Sequence, residues 1–349
     1  MIKPRKASKI GTAFAVCLIL ACGLLYLDSP RGKTASAAGI PDLLTALPAG
    51  APTLAYLDLV ALRASSFYQH RPDKGPLTVP SQDYADFVRA TGFNFEQDLD
   101  RVALAAWPAA AGGKEAGKSV IIAEGRFDRA KIRDYATREG KLDHQQGHEV
   151  FVFPGTNRTG FNSFTFLDDH RIAFVGGSSI SILFAGNSDP SAGDPARERA
   201  ARVDGAAAFS IARMPPIPDN AGGGAMGGAA AAQLLSLARS IQWLTLAARP
   251  EGDNLRISIE GECDNETSAR QIQSMLEVLR MFGRAGLETP KNKQSMDPAT
   301  FAQLDSLLNS AAVTQAGERV RILLQLTPDV FKLGGPTAPS GTALRSPRP

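Results

Sequence analysis

Four groups of residues in this chain of 349 have side chains and spacing that could do chemistry. Asp143, His144, His148 and Glu149 come first. Two histidines four apart can hold zinc when both leave one face of a helix, with acids close by as further ligands. Gln145-Gln146-Gly147 lies between them, at what reads as a helix-to-strand junction, so the expected state is a solvated turn without metal. The second group is Gly112-Gly113-Lys114-Glu115-Ala116-Gly117-Lys118-Ser119, which fits the phosphate-loop spacing GxxxxGKS. That chemistry needs a helix directly after Lys-Ser, so that free N–H groups and the helix dipole meet the phosphates. Val120-Ile121-Ile122 follows instead and reads as a strand, so the segment is expected to be a hairpin loop and no nucleotide cofactor is expected.

The third group is a repeated acid pair. Glu124, Gly125 and Asp128 recur as Glu260, Gly261 and Asp264, each 136 residues later. In both copies an alternating apolar run ends in Glu-Gly, and a helical run follows the Asp. Two carboxylates beside a shared site could serve as acid and base. The structural reading is simpler: the glycines let a strand end bend or be approached closely, and Asp128 and Asp264 cap helices. The fourth is Cys263, alone and in the inward register of Phe127, which reads as a small buried apolar residue. His170 sits in the turn Asp168-Asp169-His170, and Gly176-Gly177-Ser178-Ser179 opens a short helix that capping accounts for. No catalytic, cofactor or metal residue is therefore assigned.

The elements that carry these residues form two similar series. From about residue 50 come a strand (Thr53 to Val60), a helix (Gln82 to Ala90) and a strand (Arg101 to Trp107). The strand of Ser119 to Phe127 and a helix to Arg138 come next. Three short strands close the series: Glu149 to Phe153, Phe161 to Leu167 and Arg171 to Val175. From about residue 204 come a strand (Ala206 to Arg213), a helix (Gln233 to Arg239) and a hairpin (Ile241 to Ala248 with Asn254 to Cys263). Two more helices and a strand (Arg319 to Leu326) follow. Leu255, Ile257, Ile259 and Gly261 alternate with Arg256, Ser258, Glu260 and Glu262, the pattern of a sheet with one dry face. Leu104-Ala105-Ala106-Trp107-Pro108 matches Leu246-Ala247-Ala248-Arg249-Pro250 as a second echo. Strand, helix, strand, strand, helix, strand in each series predicts an α+β fold of two tandem ferredoxin-like units with antiparallel sheets. Their expected spans are residues 38–190 and 204–333. Residues 334–349, rich in Pro, Gly and Ser, and the Gly-rich stretch Pro215 to Ala232 are expected to stay outside the fold.

The N-terminus sets the expected location. Residues 1–33 hold six Lys or Arg against one acid, leaving 32 bases and 34 acids in residues 34–349. The folded part is thus close to neutral and offers no general case for nucleic acid. Ile10 to Leu27 is 18 residues without a charge after a basic flank, which predicts a transmembrane or signal helix within residues 1–37. Three fates compete: a retained anchor, cleavage after Ala35-Ser36-Ala37, and lipidation at Cys22 after Ile19-Leu20-Ala21. The retained anchor is preferred, placing one pass in the inner membrane and the folded part on the periplasmic side.

Leu47-Pro48-Ala49-Gly50-Ala51-Pro52, followed by Leu54-Ala55-Tyr56-Leu57-Asp58-Leu59, resembles the opening of uncharacterised bacterial envelope proteins. The resemblance covers about a dozen residues. It implies an extracytoplasmic protein and carries no catalytic residue across. The expected function is a binding or scaffolding module with an envelope ligand or protein partner. The alternative is a hydrolase using acids near Glu124 and Asp128, or a metal-dependent enzyme at His144 and His148.

Overall fold

A computed structural model describes residues 42–71, 82–109, 117–153, 161–184, 193–216 and 236–329. The proposed anchor, its cleavage site, Cys22, most of the GxxxxGKS loop, the Gly-rich stretch and the tail lie outside these residues. Among the described residues no helix is long and apolar enough to cross a membrane.

The strands join in a single antiparallel sheet of twelve. In chain order they are β1 (Thr53–Asp58), β2 (Leu99–Trp107), β3 (Lys118–Gly125), β4 (Lys141–Gln145), β5 (His148–Val152), β6 (Phe161–Phe166), β7 (Arg171–Gly176), β8 (Ala208–Arg213), β9 (Ile241–Glu251), β10 (Asn254–Cys263), β11 (Ala312–Ala316) and β12 (Arg319–Leu326). Across the sheet they run β11-β12-β10-β9-β8-β1-β2-β3-β7-β6-β5-β4. Four short helices accompany the first strands: α1 (Asp42–Thr45), α2 (Leu59–Ala64), α3 (Ser66–Gln69) and α5 (Phe95–Asp98). Longer ones are α4 (Gln82–Thr91), α6 (Arg129–Glu139), α8 (Glu266–Leu287) and α10 (Pro298–Ser310), with α7 (Pro195–Ala200) and α9 (Pro290–Ser295) between.

This corrects the expectation of two tandem ferredoxin-like units. A split βαβ places another strand between the two that its helix joins. Here β1 and β2, joined through helices, pair directly and antiparallel. The two series are not closed sheets either, because β1 and β8 pair and merge them into one. A helix-containing connection reads as a parallel crossover in sequence, yet a long enough one can also return to the neighbouring antiparallel strand.

The halves do repeat, about an axis between β1 and β8. The order β8-β9-β10-β12-β11 on one side mirrors β1-β2-β3-β7-β6 on the other. At the axis Asp58 N–H donates to Ala207 O (2.7 Å) and Arg213 N–H to Pro52 O (2.8 Å). Further out, Gly125 N–H donates to His170 O (2.9 Å) and Cys263 N–H to Glu318 O (2.8 Å). Arg126 N–H donates to Asp98 O, as Asp264 N–H does to Ser240 O. The β2–β3 and β9–β10 ladders each slip by one residue at that point. The hydrogen bonds therefore align Gly125 with Cys263 and Glu124 with Glu262. The Glu260-Gly261 echo is displaced from the true correspondence.

Side chains alternate between the two faces, and both are buried near the axis. On one face Leu57, Val102, Ile121 and Ala123 pack under α4 and α6 through Tyr84, Phe87, Ile132 and Tyr135. Phe151, Phe164, Phe166 and Phe174 extend this core, with ring centroids 4.9–6.4 Å apart. On the other face Leu54, Tyr56, Val120, Ile122, Phe209 and Ile211 lie under Leu43 and Leu44 of α1 and Ala196 and Ala200 of α7. A third cluster, Cys263, Ala269, Ile272 and Val320, seats α8 on the outer strands. Beyond Leu276 the apolar side of α8 emerges into solvent at Leu279, Met281 and Phe282.

Candidate functional site: an arginine cleft

Of the residues singled out in the sequence, Glu124, Gly125 and the turn Asp168-Asp169-His170 line one open depression, and the others lie apart. His144 and His148 sit on β4 and β5, joined by a two-residue turn in which Gln146 (φ 51°) and Gly147 (φ 83°) are both left-handed. His144 pairs with Glu149 and His148 with Gln145, so the two imidazoles point to opposite faces of the hairpin. The ring of His148 stacks on Phe184 at 4.3 Å, while His144 is exposed. The helical spacing that would have joined them is a strand pairing instead, so the pair shares no face from which to hold one zinc ion. No group of three His, Cys, Asp or Glu among the described residues is placed to hold a metal ion.

Glu124 is held by Arg101 (Oε1 to NH1, 2.9 Å), whose Nε also bonds Asp58 Oδ2 at 3.2 Å. Burial, and then the carboxylate of Asp58, pushes the hydroxyl of Tyr56 well above the usual tyrosine range. Asp128 caps α6 by accepting from Lys131 N–H (3.1 Å) and pairs with Lys131 Nζ (2.8 Å). The acid reading of Glu124 and Asp128 thus loses to ion pair and cap. In the second half the cap of α8 is Asn265, accepting from Ser268 N–H at 2.9 Å, and not Asp264. Cys263 is 3% exposed, and burial raises its thiol pKa, as suits a core residue. Lys118 and Ser119 open β3, so the phosphate-loop match lacks its helix.

What the fold does bring together is a set of arginines on the outer half of the sheet. Arg256, Ser258 and Glu260 project from one face of β10. The register puts Arg249, Ala247 and Thr245 of β9 on one side of them, and Gln325, Leu323 and Arg321 of β12 on the other. A short 3-10 turn, Ala201–Val203, runs on from α7 and overhangs this floor with Arg202 and Val203. Between floor and overhang lies a cleft of about 280 Å³. Asp194 fixes the overhang, capping α7 through Ala196 and Arg197 N–H and binding Gly50 N–H.

The ion pairs are unequal along the cleft. At one end Glu260, 9% exposed, takes Arg321 on Oε2 (2.9 Å to Nε), with Arg202 3.7 Å from Oε1. Next to it Glu262 takes both Arg199 and Arg202, and Arg199 lies 4.2 Å over the Trp243 ring. At the other end Arg256 pairs with Glu251 (2.6 Å), and Arg249 donates to the carbonyl of Asp204. Arg249 has no acidic partner among the described residues. With Arg319, six arginines face three glutamates, and no lysine lines the cleft. Guanidinium forks match anionic oxygens in pairs, which ammonium groups do not.

The repeat shows that the fold does not require these charges. The positions matching Ser258 and Glu260 in the first half are Val120 and Ile122. Those matching Thr245, Arg321 and Leu323 are Ala103, Ala173 and Val175. All five of those residues are 0% exposed. One half buries this face, and the other leaves it open and lines it with arginine. The sequence signal was present in part: Arg256, Ser258, Glu260 and Glu262 alternate with apolar residues and read only as a wetted face. Arg199 and Arg202 lie in a segment whose pattern gave no reason to place it above that face.

Neither a protein-family model nor a curated protein sequence matches the chain. Among solved structures it is similar to TP0453 in crystal form III, at TM-score 0.46 and 12% identity over 83% of this chain and 96% of that one. Crystal form IV of the same protein gives TM-score 0.43 and 11% identity over 86% and 99%.

Proposed function

We propose that the chain is a non-catalytic binding protein that takes an anionic ligand in the arginine cleft. We further propose that residues 10–27 hold it at the membrane, with the sheet on the extracytoplasmic side. The carrying observation is that Glu260, Arg321, Thr245 and Ser258 stand where the related half buries isoleucine, alanine and valine, within a cleft lined by five arginines. A wetted sheet face needs only polarity. It does not need arginines on floor and overhang together, six against three glutamates, nor one of them without an acidic partner. Against an enzyme reading, Glu124 and Asp128 are each engaged elsewhere and the histidines diverge.

Thermal unfolding of the full chain with a panel of mono- and multivalent anions at fixed ionic strength tests the binding part. At least one anion is expected to raise Tm above the chloride control, as any ligand selective for the native state must. A flat panel refutes it. Fractionation of cells making the full chain or a chain without residues 1–37 tests the location. Full-length protein extracted from membranes by alkaline carbonate would refute the anchor.

A further inference from the structure

We infer that the ligand of the cleft is a phosphorylated polyol or sugar, its phosphate bound by Arg249, Arg256 and Ser258 and its hydroxyls directed at Thr245 and Glu260. The inference rests on the binding reading above and names the ligand class.

The two ends of the cleft differ in what they leave unsatisfied. At the Arg249 end the charge is uncompensated, since Arg256 has Glu251 and Arg249 has only a backbone carbonyl. Arg249 and Arg256 are directly opposed on neighbouring strands, and Ser258 is the next residue of that face. Such neighbours stand about 5–8 Å apart, close enough for two forks and a hydroxyl to meet one group. One fork satisfies a planar carboxylate, whereas two forks and a hydroxyl offer donors to all three free oxygens of a phosphate.

The Glu260 end is of the opposite kind. Glu260 brings a buried carboxylate and Thr245, 8% exposed, a hydroxyl, side by side on adjacent strands. The charge of Glu260 is matched there by Arg321 and Arg202, and its oxygens and the Thr245 hydroxyl suit alcohol groups. Ala247 and Leu323 flank Ser258 between the two ends, leaving a smooth apolar floor for a short carbon skeleton. A cleft of about 280 Å³ is at the lower limit for small-molecule sites, which fits a molecule of this size.

The test is calorimetric titration of the purified full chain with glucose 6-phosphate, inorganic phosphate, glucose and succinate, and with phosphatidate vesicles as the lipid source of the same group. Glucose 6-phosphate is expected to bind, inorganic phosphate more weakly, and glucose and succinate not measurably. Arg249→Gln should weaken glucose 6-phosphate about tenfold or more, the loss of a charge-assisted pair. Ser258→Ala, which cannot disturb the fold much, should weaken it about threefold to tenfold. Arg270→Gln, on the exposed side of α8, should leave it unchanged. Succinate binding that Arg249→Gln abolishes, without glucose 6-phosphate binding, would overturn the ligand class and leave the binding cleft standing. Vesicle binding without glucose 6-phosphate binding would overturn it in the same way. Binding of none of the probes would overturn this inference, and a flat anion panel beside it would remove the cleft as well. Glucose 6-phosphate binding indifferent to both substitutions would place the site elsewhere and also overturn it.

Discussion

Substituting alanine for Gly125 and for Gly261, one at a time, separates the structural correspondence from the one suggested by sequence. Both glycines follow a glutamate near the end of a strand, and the repeated motif makes them equivalents. The hydrogen bonds make Gly125 the equivalent of Cys263. A Cβ on Gly125 would lie 2.3 Å from the carbonyl oxygen of Asp98 and 3.2 Å from the Cα of Leu99. Both are backbone atoms at the slip of the β2–β3 ladder, and neither can move without opening the hydrogen bond from Arg126 N–H to Asp98 O. The cost should reach the upper range of overpacking, about 3 kcal/mol. At roughly 2–4 °C per kcal/mol for a protein of this size, Tm should fall by about 6–12 °C. A Cβ on Gly261 would meet only the side chain of Ile241, at an ordinary contact distance of 3.7 Å. The smaller entropy of an unfolded alanine chain should then leave Gly261→Ala neutral or more stable by about 0.5 kcal/mol. Urea unfolding and thermal scans of the two variants measure the difference. Equal losses at both sites, or a Gly125→Ala variant within about 1 kcal/mol of the parent, would refute the register-based alignment.

Four further outcomes follow from packing and charge. Phe164→Ala removes a ring at the centre of the Phe151, Phe166 and Phe174 cluster and should cost about 3–5 kcal/mol in urea unfolding; Phe282→Ser, at 65% exposure, should cost less than about 0.5 kcal/mol. Glu260→Gln removes the carboxylate of Arg321 and one of the two at Arg202, and with these arginines 47% and 36% exposed it should cost up to about 1 kcal/mol. Asp168 is held below the usual carboxylate range: burial opposes this, but the bond from His170 N–H and the pair with Arg171 outweigh it. Its stabilisation is therefore complete above the ordinary carboxylate pKa and is lost as pH falls through the lowered value, so Asp168→Asn should flatten the acid limb of a stability–pH curve. Tyr56 has the opposite sign: its raised pKa stabilises the fold below the ordinary tyrosine value and the gain is lost as pH rises, so Tyr56→Phe should flatten the alkaline limb.

Local order was legible because it depends on neighbours in the chain. The alternation in Leu255 to Glu262 places four residues on a dry face and four on a wet one, and the structure keeps that division at Leu255, Ile257 and Arg256. Asp128 before Arg129 announces a helix, and the cap is there. The β4–β5 hairpin was not legible, because Gln146-Gly147 lacks the Asn or Asp that usually marks a left-handed turn pair. Strand order was not legible either. Nothing local to Thr53–Asp58 says that its second neighbour is Ala208–Arg213, far along the chain, and that pairing is what fuses two expected sheets into one. The same pairing creates the site. Once β8 lies beside β1, the covering layer of α1 and α7 sits over the axis, and Arg199 and Arg202 at its end hang over β9 and β10. Were the two halves separate, these arginines would belong to a linker and Arg249 to an ordinary wet strand. The cleft is therefore a consequence of fusion at the axis, and its charges can vary without touching the apolar strands on which the first half depends.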